Sequence, residues 1–138
     1  MKVCIYGAGA IGGFIGTRLA TLADCQVSAV ARGATLAALQ AHGWRLRQGG
    51  ALVTAPCQAS ASPAELGVQD LVVIGVKGPA LTEVARQIAP LIGPNTVVLP
   101  AMNGVPWWFG AHAPALGDAP ALGSEPLQSV DPGGVVAR

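Results

Sequence analysis

The sequence predicts an α/β fold, a doubly wound and mostly parallel sheet with helices on both faces. Three observations point to it. An apolar run at residues 3–5 passes straight into a glycine-rich stretch. The runs at 70–77 and 96–99 are apolar without alternation, as in strands covered on both sides. Between such runs lie segments whose apolar residues recur every three or four positions, the spacing of a helix face.

Residues 3–5 (Val3, Cys4, Ile5) read as the first strand. Gly7, Gly9 and Gly12 follow at G-x-G-x-x-G spacing, after a strand and opening a helix, the context in which that motif carries weight. Gly7 permits the tight turn, Gly9 lets the backbone approach a pyrophosphate, and Gly12 lets the helix lie close on the strand. The N–H groups of Ala8, Gly9, Ala10, Ile11 and Gly12 then face the phosphates from the positive end of the helix dipole. This is a Rossmann-type arrangement. Glycines and Arg18 interrupt the stretch too often for a signal peptide or a membrane span.

Residues 10–23 form the first helix in this reading, with Ile11, Phe14, Ile15, Leu19 and Leu22 turned to the sheet and Arg18 and Thr21 to solvent. Residues 26–31 are the second strand, and its end bears on the cofactor. An acid about 20 residues past the fingerprint would bind the adenosine ribose of NAD. Arg32 stands there instead. A guanidinium pairs with a 2′-phosphate through two parallel hydrogen bonds, so NADP is expected over NAD.

Residues 34–42 read as a second helix with Leu36 and Leu39 inward and Gly43 closing it. Strands at 44–48 and 52–55 make a hairpin across Gly49-Gly50. Ser62 caps a short turn begun by Pro63. Residues 70–77 are the clearest strand, and Lys77 falls at its carboxyl end, where open parallel sheets place ligands. A helix over 79–92 carries Leu81, Val84, Ile88 and Leu91, with Pro90 shortening its end. After a turn at 93–95, residues 96–99 read as another buried strand, leading to Asn103, whose amide both donates and accepts. A solvated arginine at 32, a strand-exit lysine at 77 and an Asn-Gly turn at 103 are the plainer readings of those three positions. From residue 110 the chain is rich in Gly, Pro and Ala and reads as loop, giving a dinucleotide-binding domain at 1–109 and a loop opening the next segment at 110–138.

Composition narrows the partners. The 138 residues are 51% hydrophobic and 11% charged, which suits buried parallel strands or a face covered by a partner. A net charge of +1 makes no electrostatic case for nucleic acid or an anionic membrane. Cys4, Cys25 and Cys57 are odd in number and far apart, as suits small core residues in a reducing cytoplasm. His42 and His112 are isolated, so no metal site is expected.

Five pieces in order, Gly7 to Gly13, Ala31-Arg32-Gly33, Val76-Lys77, Asn103-Gly104-Val105-Pro106-Trp107-Trp108 and Ser129-Val130-Asp131-Pro132-Gly133-Gly134, resemble the N-terminal half of the ketopantoate (2-dehydropantoate) reductase family. The resemblance implies NADPH-dependent reduction of a 2-oxo acid such as 2-dehydropantoate to a 2-hydroxy acid, in pantothenate and CoA biosynthesis. By the same resemblance the glycine loop holds the pyrophosphate, Arg32 and Lys77 attend the adenosine end, and Asn103 lies beside the nicotinamide ribose and the substrate. Hydride transfer to a carbonyl builds an oxyanion that needs a donor and a proton. In the family a C-terminal helical domain supplies a catalytic lysine for this. Lys2 and Lys77 are the only lysines here and neither matches it, so the chain is expected to lack the catalytic acid and to need that domain or a homo-oligomer partner. A stand-alone NADP-binding sensor without catalysis, and a flavin-binding domain, are the competing readings.

Overall fold

The computed structural model describes residues 1–109 and 127–137. Five parallel strands make the main sheet: β1 (Lys2–Tyr6), β2 (Gln26–Val30), β5 (Gln58–Ser60), β6 (Leu71–Ile74) and β7 (Val97–Pro100). β3 (Trp44–Gln48) and β4 (Ala51–Ala55) form a separate antiparallel hairpin. The sheet order is β5-β2-β1-β6-β7. The chain therefore starts at the centre, steps outward to β5, and crosses back to the other side of β1. That reversal puts a topological switch point between β1 and β6, where open α/β sheets bind their ligands. This is the Rossmann-type doubly wound arrangement.

Two compact units divide the chain, Met1–Val76 with Gln87–Met102, and Lys77–Arg86 with Asn103–Arg138. The first holds both sheets, α1 (Ala10–Ala20) and α2 (Gly33–His42). Its core joins Val3, Ile5, Val27, Ala29, Leu39, Trp44 and Val73. Burying Val3, Cys4, Ile5 and Tyr6 in succession requires cover on both faces of β1, which is why that run does not alternate. Trp44 fills the space under α1, and its indole Nε1–H donates to the Val27 carbonyl at 3.0 Å. α2 ends as its sequence predicts: Gly43 adopts φ 67° and donates its N–H to the Leu39 carbonyl at 2.8 Å.

Several expectations are corrected. α1 stops at Ala20, and it turns Gly12, Gly16 and Thr17 inward, leaving Ile11, Phe14 and Leu22 exposed. A methyl group on Gly16 would run into the Trp44 indole, so the closest contacts of the helix are made by small residues, while Ile15 and Leu19 pack against the core as expected from the flanks of that stripe. β6 ends at Ile74, three residues before Lys77. The helix expected over 79–92 is three pieces: a 3₁₀ turn Gly78–Ala80, α3 (Leu81–Gln87) and a 3₁₀ turn Ala89–Leu91. Pro90 lies in the first turn of the last piece, where its missing N–H costs nothing. β7 is not buried: Val97, Val98 and Leu99 are all exposed at the sheet's edge. Ser62 makes no side-chain cap; Ser60 Oγ instead accepts the Ser62 N–H at 2.9 Å and donates to Glu65 at 2.7 Å.

In the second unit, Trp107 and Trp108 meet edge to face with ring centroids 4.4 Å apart. Asp131 is fully buried, its carboxylate accepting the N–H of Val136 at 2.9 Å and of Ala137 at 3.0 Å, which closes a tight turn from the end of the Ser129–Gly134 motif to residue 137. Most of the loop expected from residue 110, His112 included, lies outside the described residues. Among the described residues no helix is long and apolar enough to cross a membrane.

Candidate functional site

The carboxyl ends of β1, β2 and β6 converge on the glycine turn. Gly7 leaves β1 at φ 95°, a conformation side chains disfavour, and donates its N–H to the Val30 carbonyl at the end of β2 at 2.9 Å. From the other side the Gly75 N–H donates to the Tyr6 carbonyl at 2.9 Å. The turn is thus tied to both neighbouring strand exits.

The glycines of the turn divide by what surrounds them. A β-carbon on Gly12 would overlap the Gly7 carbonyl oxygen and lie 2.9 Å from the Ile5 side chain. Gly12 is needed for the protein's own packing. Gly9 is different: among the described residues a β-carbon there meets no atom within 4 Å, and its backbone at φ −72° does not demand glycine. None of the described residues requires glycine at that position, which fits close approach of a ligand from outside.

The head of α1 suits an anion. Gly9 is its N-cap and supplies no side-chain acceptor, the first turn carries no acidic residue, and the 11-residue helix places its positive end here. Arg32 stands at the same sheet edge, one residue past Ala31, as the N-cap of α2. Its Nη2 donates to Gln87 Oε1 at 3.4 Å, and the Tyr6 hydroxyl donates to the same oxygen at 3.2 Å. Beside the turn, a cleft of about 540 Å³ opens between α1, α2 and β3, lined by Gly9, Phe14, Thr35, His42 and Trp44 among others. A second cleft of about 510 Å³ lies at the opposite edge of the sheet, by Lys2, Gln26 and Cys57, away from the ends where such folds bind ligands.

The first unit therefore brings together Gly7, Ala8, Gly9, Ala10, Ile11, Gly12 and Arg32. Lys77 and Asn103 belong to the second unit and both are exposed, Lys77 before a 3₁₀ turn and Asn103 before Gly104 at φ 111°. The three free thiols lie elsewhere: Cys4 is buried in mid-β1, Cys25 stands directly before β2 and Cys57 directly before β5.

Residues 3–112 match the profile of ketopantoate reductase PanE/ApbA. The chain belongs to the ketopantoate reductase family. A 2-dehydropantoate 2-reductase of Mesorhizobium japonicum (strain LMG 29417 / CECT 9101 / MAFF 303099) is 46% identical over 138 residues, 99% of this chain and 40% of that relative. A crystal structure from Ralstonia solanacearum MolK2, described provisionally as a ketopantoate reductase, superposes with TM-score 0.85 at 52% identity, covering 98% of this chain and 40% of its own. The ternary structure of D-mandelate dehydrogenase with NADH and anilino(oxo)acetate gives TM-score 0.65 at 28% identity, over 77% of this chain and 35% of its own. The chain thus spans 40% of the length of the first two relatives.

Within this ketopantoate reductase fold, sequence reasoning missed two residues. Gly75 reads as part of an apolar strand, yet a β-carbon on it would lie 2.8 Å from the Gly7 carbonyl oxygen. A glycine closing an otherwise β-branched run was the available signal. Gln87 has no such signal, because its partner Arg32 is 55 residues away in sequence.

Proposed function

We propose that this chain, and residues 1–109 in particular, is the NADP-binding part of a cytoplasmic reductase that converts a 2-oxo acid, 2-dehydropantoate or a close analogue, to its 2-hydroxy acid. The observation that carries this reading is the glycine turn at the switch point, with Gly9 open to the outside and Arg32 at the same edge. The amides of Ala8 to Gly12 would hold the pyrophosphate and Arg32 the 2′-phosphate, with Lys77 adding charge at the adenosine end. Asn103 would position the nicotinamide ribose and the substrate carbonyl through its two-sided amide. When bound, NADPH supplies the hydride. Catalysis also needs a general acid, typically worth about 10²- to 10⁴-fold, which neither Lys2 nor Lys77 matches. We assign it to the helical part of the longer relatives, acting on this site from a further domain or subunit.

The test measures NADPH and NADH binding to the chain, then turnover of 2-dehydropantoate by the chain alone and with the remaining length of the Mesorhizobium relative supplied. Micromolar NADPH binding, a clear preference over NADH that Arg32→Ala removes, and activity only in the mixture are expected. Tight NADPH binding with no rescue would favour a sensor, and a flavin absorbance spectrum in the purified protein would replace NADP with FAD.

A further inference from the structure

We infer that Gln87 is a positioning residue for Arg32, and that the bridge Tyr6–Gln87–Arg32 sets the preference for the phosphorylated cofactor. The inference rests on the reading above, in which Arg32 grips a 2′-phosphate. Three observations carry it.

The first is the shared acceptor. Gln87 Oε1 takes the Tyr6 hydroxyl at 3.2 Å and Arg32 Nη2 at 3.4 Å. A guanidinium can only donate, so the contact with Arg32 fixes which end of the carboxamide faces it, and the Tyr6 hydroxyl must then donate as well. The second is the anchoring. Tyr6 is 4% exposed and ends β1 directly before Gly7, while Gln87 is half-buried at the last position of α3. Arg32, by contrast, is exposed on the residue that opens α2. The bridge therefore ties a long, surface-exposed side chain to the rigid strand that carries the glycine turn. Holding such a side chain in one orientation spares rotamer entropy that would otherwise be lost on binding.

The third is the chemistry of the acceptor. An amide oxygen orients a guanidinium without itself bringing negative charge to the place where a phosphate must sit. A carboxylate at position 87 would pair with Arg32 in the bidentate manner that a phosphate needs, and would repel the phosphate besides. A residue that acts through Arg32 should weaken binding of NADPH and leave binding of NADH, which lacks the 2′-phosphate, nearly unchanged, so that the preference falls with the NADPH affinity.

The experiment titrates the full chain with NADPH and NADH, and with 2′-phospho-AMP and AMP to isolate the adenosine end, alongside thermal melts. The variants are Gln87→Leu, Gln87→Glu, Tyr6→Phe and Arg32→Ala. Gln87→Leu should lower the NADPH-over-NADH preference by about three- to tenfold, the net size of one ordinary hydrogen bond, because the Arg32 contact is long at 3.4 Å. Gln87→Glu should lower it further, by tenfold or more, and Tyr6→Phe should shift it the same way by about twofold. If Gln87→Leu does not fold, Gln87→Glu and Tyr6→Phe decide. Should Arg32→Ala abolish the preference while folded Gln87 variants keep the wild-type ratio, the bridge has no such role although the cofactor reading survives. Should the unaltered chain show no preference, or Arg32→Ala leave it intact, the cofactor reading fails and this inference with it.

Discussion

Gly75 stacks on Gly7 with no room between them: a β-carbon on Gly75 would come within 2.8 Å of the Gly7 carbonyl oxygen and 3.1 Å of the Gly12 Cα. Three glycines from three segments thus pack backbone to backbone where β1 and β6 end. Gly75→Ala should cost about 1–3 kcal/mol, as overpacking does, and Gly12→Ala more, because its methyl overlaps a carbonyl oxygen rather than crowding it. Urea titrations measure both, and a Gly12→Ala chain as stable as the unaltered one would contradict this packing.

Gly9→Ala should behave in the opposite way. Its methyl meets no atom of the described residues within 4 Å, so stability should stay within about 0.5 kcal/mol of wild type. NADPH affinity should nevertheless fall about tenfold or more, because the methyl holds the backbone off the pyrophosphate. Calorimetric titration beside a thermal melt separates the two quantities; equal NADPH affinity would move the phosphates elsewhere.

Trp44 is the largest fully buried side chain of the core and satisfies the Val27 carbonyl. Trp44→Phe should cost about 1–3 kcal/mol through the lost hydrogen bond and volume, and Trp44→Ala about 3–5 kcal/mol through the cavity. Equilibrium unfolding reads both, and a neutral Trp44→Phe would mean the bond to Val27 contributes nothing.

The thiols of β1 and the segment before β5 should be unreactive while the chain is folded. Burial pushes Cys4 up from 9.0 to about 11, against the pull of hydrogen bonds with Ser28 and Val30. Burial first, and repulsion from a charged Cys4 second, push Cys57 up to about 12. The folded state thus favours the neutral thiols. Their contribution to stability is complete below pH 9, and is lost as the pH climbs toward 11–12, because the unfolded chain releases these protons first. Iodoacetamide at pH 8 should modify Cys4 and Cys57 far more slowly in the native chain than in urea, and the urea midpoint should fall as pH rises above 9. Mass spectrometry of the peptides checks the first; equal native and unfolded rates would rule out the burial described.

Much of the fold and site could be read from the residues alone, and the failures have physical causes. The glycine turn was legible because a strand passing directly into a packed helix needs small residues at fixed offsets, and the place of Arg32 because it directly follows the apolar run of the second strand. The hairpin was legible because Gly49-Gly50 sits between two runs of strand length. β5 was not: Gln58–Ser60 is three residues, too short for any period to show. The inward face of α1 was misread because close packing on the Gly7 carbonyl selects glycine at 12 and close packing on Trp44 selects glycine at 16, while Phe14 stays outside. β7 carries the apolar run of a covered strand but lies at the sheet's edge, and composition does not distinguish the two. Gln87 was invisible because a bond between distant segments leaves no local pattern.

The hydrogen bonds from Gly7 to Val30 and from Gly75 to Tyr6 mean that the cradle is completed by folding and not by its guest. On the function proposed above, a nucleotide arriving there would find its seat already set, and no ordering of this loop would have to be subtracted from the grip. Encounter should accordingly be quick and its rate nearly insensitive to viscogens that slow backbone closure, with any slow step in a reaction cycle arising from whatever docks above this edge.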